Sequence, residues 1–521
     1  MGIKLRAAGI TDFVILEKQA DVGGTWCLNR YPGVACDVPA HGYGFSFERN
    51  PDWSTAYAPG SEIHQYQKRV ANKHGVTQHC RFGVEVTALV YDPAAQRWNV
   101  TATNVASQVA QTFTSRLVVA CMGVQHWPAW PKLNGVNNGT FKGDLEVHSV
   151  EWVPGQHDAA IEGKNVVVIG SACSALQLVP AIADKVKSLT VVQRTPSWIV
   201  PKRNPLLPSG LQYGPVWKSA FNNVPGALWA YNRAIYLSYE SFYLVASGTE
   251  DSFVQRKLRE VLTRSMTDQL SGRADLVDAL IPKYPIGCKR PVMSDDFLPT
   301  LLKPNVRLVN SPLHEIKDHS VVCANGQSIN ADVIIYCTGY RFSDPGPRFN
   351  VKTPFFEYTD SMRAEAERTG AWDGVNVPAS VFDKMRMYKG VAHPWMPNFF
   401  TTFGPNSGLI NSIVVVLEAQ VAYIVGAIEQ MQRQRVAELR IKQHVVDAYT
   451  QEIDQLLDSD AFSAFSSTTC SSYYKADGKG KIVAASPYSA RQFTAHLAPP
   501  SSLTDYHVAY LPPPQRKAAK L

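Results

Sequence analysis

The chain has 521 residues, 45% apolar and 18% charged. That length suits roughly two or three domains with buried cores, and the balance excludes an intrinsically disordered protein. A net charge of +7 over this length reads as solubility, and no block of basic residues offers a nucleic-acid footprint.

Near the start, no apolar run of signal-peptide type stands out in residues 1–20. The apolar stretch Phe13-Val14-Ile15-Leu16 reads as a buried strand that ends in Glu17. In dinucleotide-binding βαβ units an acidic residue at that point takes the ribose hydroxyls, about 20 residues after the glycine loop. Counting back from Glu17 puts that loop, and the first strand with it, upstream of Met1. Turns rich in glycine follow at Val22-Gly23-Gly24-Thr25-Trp26 and Asn29-Arg30-Tyr31-Pro32-Gly33. Strand-like runs come next at Phe82–Tyr91, Trp98–Ala102 and Leu117–Ala120, the last leading to Cys121-Met122-Gly123.

A second dinucleotide unit begins at residue 165. The continuous apolar run Val166–Ile169 suits a central parallel strand, followed by Gly170-Ser171-Ala172-Cys173-Ser174-Ala175 and a helix through Ala183. The next strand, Leu189–Val192, ends at Gln193-Arg194-Thr195. Gly170 is expected under a pyrophosphate at the helix N-terminus, with Ser171 and Ser174 in the same turn. Arg194 and Thr195 stand where a cation accepts the 2′-phosphate of NADPH.

Residues 207–283 are aromatic-rich with a helical pattern, and strands are expected again at Val306–Val309 and Ala331–Tyr336, before Cys337-Thr338-Gly339-Tyr340. The stretch Ile413–Ile428 is too short for a bilayer and contains Glu418 and Gln420, so a buried helix is expected. Pro499–Pro514 reads as a mobile proline-rich tail, and the terminal Ala519-Lys520-Leu521 is close to a peroxisomal address in an otherwise cytoplasmic protein. Nine cysteines, an odd count without CxxC pairs, argue against a disulfide framework or a zinc site and for a reducing compartment.

Taken together, Gly23-Gly24-Thr25-Trp26, Tyr31-Pro32-Gly33, Cys36-Asp37, Pro51-Asp52-Trp53-Ser54, Gln193-Arg194-Thr195-Pro196, Lys289-Arg290 and Gly404-Pro405-Asn406 resemble the flavin-dependent Baeyer–Villiger monooxygenases. The similarity points to their fungal, hydroxyacetophenone-monooxygenase-like branch. It implies an α/β fold with two Rossmann-like domains, the flavin domain discontinuous and lacking its first strand and glycine loop, plus a helical insertion. The implied division is 1–153 and 330–498 for FAD, 154–206 and 284–329 for NADPH, 207–283 for the insertion and 499–521 for a basic tail.

The resemblance further implies that NADPH reduces FAD and that one oxygen atom from O2 is inserted beside a ketone, giving an ester or lactone, in fungal secondary metabolism. Arg290 matches the active-site arginine, whose permanent charge steadies developing negative charge, and Asp37 matches its acidic partner. Lys289 matches a second contact to the NADPH phosphate. Glu17, Gly24, Thr25, Trp26, Gly339 and Asn406 match flavin-side contacts. The partners expected are a small-molecule ketone and O2, no nucleic acid, and membrane contact or self-association through 207–283. A heteroatom-hydroxylating flavin monooxygenase is one alternative, and a non-catalytic homologue unable to hold FAD is another.

Two departures stand out. Against the Phe-x-Gly-x-x-x-His-x-x-x-Trp signature that the resemblance implies for the linker, Phe141-Lys142-Gly143-Asp144-Leu145-Glu146-Val147-His148-Ser149-Val150-Glu151-Trp152 has one extra residue between Gly143 and His148, which reads as a hinge-packing histidine and not a general base. Ala172 replaces the middle glycine of the second fingerprint, so weakened NADPH binding is expected.

Overall fold

The structure, a computed structural model, describes residues 1–202, 212–246, 249–341, 350–354, 357–358, 386–409, 411–475 and 480–512. The apolar run at 166–169 becomes the strand Asn165–Ile169, buried on both faces at the middle of a five-stranded parallel sheet. Its order is Val306–Val309, Ser188–Val192, Asn165–Ile169, Val333–Tyr336, Leu145–His148. The helix Cys173–Ile182 buries Ala175, Leu176, Leu178, Val179 and Ile182 in the same core as Val166, Val168 and Val191.

Two strands shift the expected domain boundaries. Val333–Tyr336, expected to open the second flavin segment at 330, pairs in parallel with strand 165–169 on one side and Leu145–His148 on the other. All four of its residues are buried, and an uninterrupted apolar strand satisfies both its faces and both its edges only inside a sheet. Both flanking segments therefore lend a strand to the second sheet.

The first unit is assembled from smaller pieces. Ile15–Glu17 pairs in parallel with Cys80–Phe82, and Val118–Ala120 pairs in parallel with Phe399–Thr401, as two separate two-stranded sheets. Both Ile15–Glu17 and Val118–Ala120 line one large cavity. A third, mostly antiparallel sheet runs 357–358, 350–352, 84–92, 97–104, 110–115 and closes over Trp98, whose indole donates to the Pro397 carbonyl at 2.9 Å.

Between residues 212 and 283 the described chain is helical: Pro215–Asn223, Ala227–Ala246, Phe253–Gln269 and Ala274–Leu280. Phe221 and Ile235 turn inward, whereas Val216, Trp217, Trp229 and Phe253 are exposed. The 51–54 motif anchors this region: the Tyr213 amide donates to the Ser54 carbonyl at 2.9 Å and Asn222 donates to Asp52 at 3.2 Å.

The apolar stretch at 413–428 is longer as a helix, Ile413–Arg433, and by length and composition alone it would cross a membrane. Here it is a core helix, with Val416, Tyr423, Ile424 and Ala427 buried in one cluster. Ser412 caps its start, accepting from the Val414 amide at 3.3 Å.

Two expectations are overturned. The segment after Pro499 is not a mobile tail as far as residue 512: Tyr506–Tyr510 forms an antiparallel pair with Val436–Ile441, and Leu503 and Tyr506 are buried. Burial of Tyr506, Val508 packed against the same core, and the Tyr423–Tyr506 hydroxyl contact at 2.8 Å outweigh the flanking prolines. The terminal Ala519-Lys520-Leu521 lies outside the described residues. Cysteine pairing is the second: Cys288 and Cys470, 182 positions apart, form a disulfide, and the other seven cysteines are free. Spacing along a chain carries no signal for a pair brought together only by the fold.

The Tyr31-Pro32-Gly33 turn is a clamp between the two units. Tyr31 donates to Gln177 Oε1 at 2.8 Å, and Gln177 Nε2 donates to the Ala35 carbonyl at 2.9 Å. Gly33 has φ +80°, and a Cβ there would stand 2.4 Å from the Gln177 carbonyl oxygen. Gly33→Ala is therefore expected to destabilise the protein by roughly 1–3 kcal/mol through backbone strain and overpacking. A denaturant midpoint equal to that of the parent would refute this.

Candidate active site

The cavity between the units has a volume of about 2220 Å³ and is lined by Glu17, Gly24, Thr25, Trp26, Asp37, Ser174 and Arg290 among others. A pocket for one small ligand spans roughly 300–1,000 Å³, so this space suits more than one bound group.

Arg290 and Asp37 form its charged centre. The loop carrying Arg290 is held from both sides. Before it, Tyr284 donates to the Pro196 carbonyl at 2.8 Å and its own carbonyl accepts from Trp198 Nε1 at 2.9 Å. After it, Val292–Met293 pairs in parallel with Ile199–Val200. Asp37 follows Cys36, whose amide donates to the Ala58 carbonyl at 3.1 Å. Arg290 Nη2 then donates to Asp37 Oδ1 at 2.7 Å across 253 positions of sequence.

The arginine side chain is 41% exposed, but that surface belongs to the cavity wall. Asp37 raises the Arg290 pKa, so the charge persists at any pH at which the fold exists. One guanidinium N–H is used by Asp37, and the others make no protein hydrogen bond among the described residues. A fixed cation with spare donors facing an enclosed space is suited to steadying negative charge that develops there.

Trp26 lines the cavity half-buried, donating from Nε1 to the Tyr43 hydroxyl at 3.1 Å with the rings edge-on at 5.6 Å. Glu17 closes its strand toward the cavity, and one carboxylate oxygen accepts from the Gln19 amide at 2.7 Å. Gly24 has φ +49° and no heavy atom within 4 Å of a built Cβ, so the backbone angle demands glycine there, not a protein neighbour.

A second group of residues sits at the C-terminal edge of the five-stranded sheet. Arg194 is exposed just beyond strand 188–192. Lys289 lies half-buried over the Tyr284 ring at 5.4 Å. Burial, with Arg194 nearby, lowers the Lys289 pKa to about 8. Neither cation has a carboxylate partner among the described residues. Thr195 is tied by its carbonyl, which accepts from Ser171 Oγ at 3.5 Å. Ser174 is the one member of the second fingerprint, besides Cys173, that reaches the large cavity.

Several residues of these motifs have a role in packing or hydrogen bonding of their own. A Cβ at Gly170 would stand 2.4 Å from the Cys337 carbonyl, so close packing of neighbouring strand ends already requires this glycine. Ala172 is extended and exposed before the helix, a conformation open to any residue. Gly339 accepts from the Ala129 amide at 2.9 Å and does not line the cavity. Asn406 spends its amide on the Ile482 and Ala485 carbonyls at 3.2 and 3.0 Å, while Phe403 and Gly408 reach the cavity in its place. His148 is fully buried on Trp130, and burial lowers its pKa to about 4. That is a packed neutral imidazole, not a base.

Tyrosines that the sequence does not single out complete the site. Tyr57, Tyr239, Tyr473 and Tyr474 line the cavity, and burial pushes all four phenols up, so they stay neutral. Tyr239 comes from the aromatic-rich insertion, where helical packing explains the pattern equally well.

A model of the family described as "Flavin-binding monooxygenase-like" matches residues 13–224. A Baeyer–Villiger monooxygenase of Pseudomonas aeruginosa is 32% identical over 475 residues, 91% of this chain and 82% of that protein. Another from Streptomyces coelicolor is 34% identical over 437 residues, 82% of this chain and 75% of that protein. Among solved structures, OTEMO in complex with FAD and NADP shares the fold, with a TM-score of 0.79 at 21% identity over 98% of this chain and 96% of that one. On these grounds the chain belongs to the flavin-binding monooxygenase-like family.

Proposed function

We propose that the protein is an FAD-dependent, NADPH-consuming monooxygenase of the Baeyer–Villiger type. The reaction consumes ketone, O2, NADPH and a proton and yields ester or lactone, NADP+ and water. The observation that carries this reading is the Arg290–Asp37 pair at 2.7 Å on the wall of the large cavity.

The residues present fit both cofactors. Two adjacent cations without a carboxylate partner among the described residues, Arg194 and Lys289, suit the phosphate that distinguishes NADPH from NADH. Glu17, at a strand end on the cavity, suits the ribose hydroxyls of FAD, and Gly24, Thr25 and Trp26 border the same space. Bound FAD, once reduced, supplies the electrons and the activation of oxygen. Arg290 holds a permanent charge against the reacting oxygen, and Asp37 fixes its direction. The neutral tyrosines exclude water without contributing charge of their own.

The test is to saturate purified protein with FAD and supply NADPH with a bulky ketone or an aryl sulfide. Ester from the ketone supports the proposal. Sulfoxide without ester points to heteroatom hydroxylation, and failure to retain yellow flavin absorbance points to a binding protein. Tyr239 of the insertion sets the size of the substrate end, so Tyr239→Ala is expected to change KM for bulky ketones by about tenfold, with a smaller change for small ones. Equal shifts for both would remove Tyr239 from the substrate wall.

A further inference from the structure

Cys288 and Cys470 stand at the base of the two segments that enclose Arg290. Cys288 directly precedes Lys289 and Arg290. Cys470 precedes Tyr473 and Tyr474, which line the same cavity as Arg290. Their disulfide closes a separation of 182 residues, while the other seven cysteines, Cys36, Cys173 and Cys337 near the site among them, remain free.

A buried lysine accompanies this couple. Lys475 is 1% exposed, with Nζ 4.0 Å from Cys288 Sγ, and it also donates to the Ser467 carbonyl. Nothing in the proposed reaction uses this ammonium. An ammonium beside sulfur stabilises a thiolate, and a stabilised thiolate is the better leaving group in disulfide exchange. Cys288 Sγ also lies 3.5 Å from the Ser467 carbonyl and 4.0 Å from the Cys470 carbonyl, so a thiol at that position has acceptors ready. Both redox states are provided with partners.

We propose that Cys288–Cys470 is a thiol–disulfide exchange site for dithiol reductants, and that its state sets the placement of Lys289 and Arg290. Both residues are buried, Cys470 at 6% and Cys288 at 0% exposure, and Cys470 is assigned as the attacked sulfur because its partner Cys288 can leave beside Lys475. A reductant thiolate attacks Cys470, forming a new S–S bond as the bond to Cys288 breaks, and Cys288 leaves as a thiolate beside Lys475. The second thiol of the reductant attacks the mixed disulfide and releases Cys470. Two electrons pass from the dithiol, which becomes a cyclic disulfide, and its two protons finish on Cys288 and Cys470. A disulfide oxidant reverses the sequence.

The experiment equilibrates the folded full-length chain in buffers of graded reduced-to-oxidised dithiothreitol, quenches in acid, unfolds the chain in denaturant, traps all free thiols with maleimide and counts them by intact mass. The count is expected to rise from seven to nine as the ratio increases. The Kd for NADP+ is expected to weaken several-fold over the same interval. In a C288S/C470S double variant the Kd should sit at the reduced value and ignore the buffer. Lys475→Met should slow reduction by about tenfold, read as thiol count against time at a fixed ratio, with little change in the midpoint ratio. A count of seven at the highest ratio, nine at the lowest, or an NADP+ Kd equal in both states would each overturn the proposal. Thiol counting on the parent chain serves even if a variant fails to fold. Should NADP+ bind in neither state, the cofactor reading fails, while the exchange site still stands or falls on the thiol count.

Discussion

Arg290→Ala is expected to lower ester formation by about 10²–10³-fold, the loss typical of removing one preorganised stabiliser of developing charge. The protein should still fold and bind NADPH. Arg290 is held on a loop braced by Tyr284 and by the strand pair 199–200 and 292–293, so its charge needs no reorganisation when the reaction calls on it. Alanine removes that charge, and solvent entering the enlarged cavity replaces it poorly. Electrons drawn from NADPH then end in hydrogen peroxide, not product, and the ratio of peroxide released to NADPH consumed should approach one.

Arg290→Lys keeps a charge but loses the planar fork, so an intermediate rate is expected. Asp37→Asn retains a hydrogen-bond acceptor for Nη2 but removes the attraction that aims the guanidinium, and a smaller loss, about 10–100-fold, should follow. Product analysis together with peroxide detection measures all three variants. Parent-like coupling in Arg290→Ala would remove the residue from the active centre.

The second large effect concerns the nicotinamide cofactor. Lys289→Ala is expected to raise the Kd for NADPH by about 10–100-fold, since a hydrogen bond to a charged group contributes roughly 1.5–3 kcal/mol. Arg194→Ala should cost less, because an exposed cation is screened by solvent. Affinity for NADH, which lacks the phosphate, should change little in either variant. Discrimination between the two cofactors, read by equilibrium titration, is therefore the sensitive quantity.

Lys289 also sets a pH dependence. Burial and Arg194 depress its pKa to about 8 from the usual lysine range. The phosphate dianion binds best to the protonated amine. Affinity is expected to hold below about pH 8 and to fall as pH rises through that value, because deprotonation removes the charge the phosphate needs. Lys289→Ala should abolish the fall, whereas Arg194→Ala should move it upward by relieving the repulsion. A flat profile in the parent protein would exclude Lys289 from the phosphate site.

Both predictions rest on residues legible in the amino-acid chain alone. Arg290, Asp37, Lys289 and Arg194 stand out through short motifs, and the strand–turn–helix–strand order of 165–192 is readable from apolar runs and glycines. Trp26 and Glu17 border the cavity. Gly339 and Asn406 do not, because a glycine or a Pro-Asn turn is demanded as readily by backbone packing as by a ligand.

Local order is written in the sequence because helix and strand periodicity depends on neighbours a few positions apart. What required the tertiary structure were the relations between distant residues. The Arg290–Asp37 ion pair spans 253 positions, and the Cys288–Cys470 bond spans 182. Strand 333–336 reads as buried from its own residues, yet only the fold shows that its partners are 165–169 and 145–148. The same holds for 506–510, whose neighbouring prolines suggest a loose end although strand 436–441 supplies the missing edge. Bringing such segments together carries a loop-closure cost, which contacts made throughout the core repay. A local pattern contains no record of which contacts those are. The chain on its own therefore named the chemical groups, and the packed structure decided which of them meet.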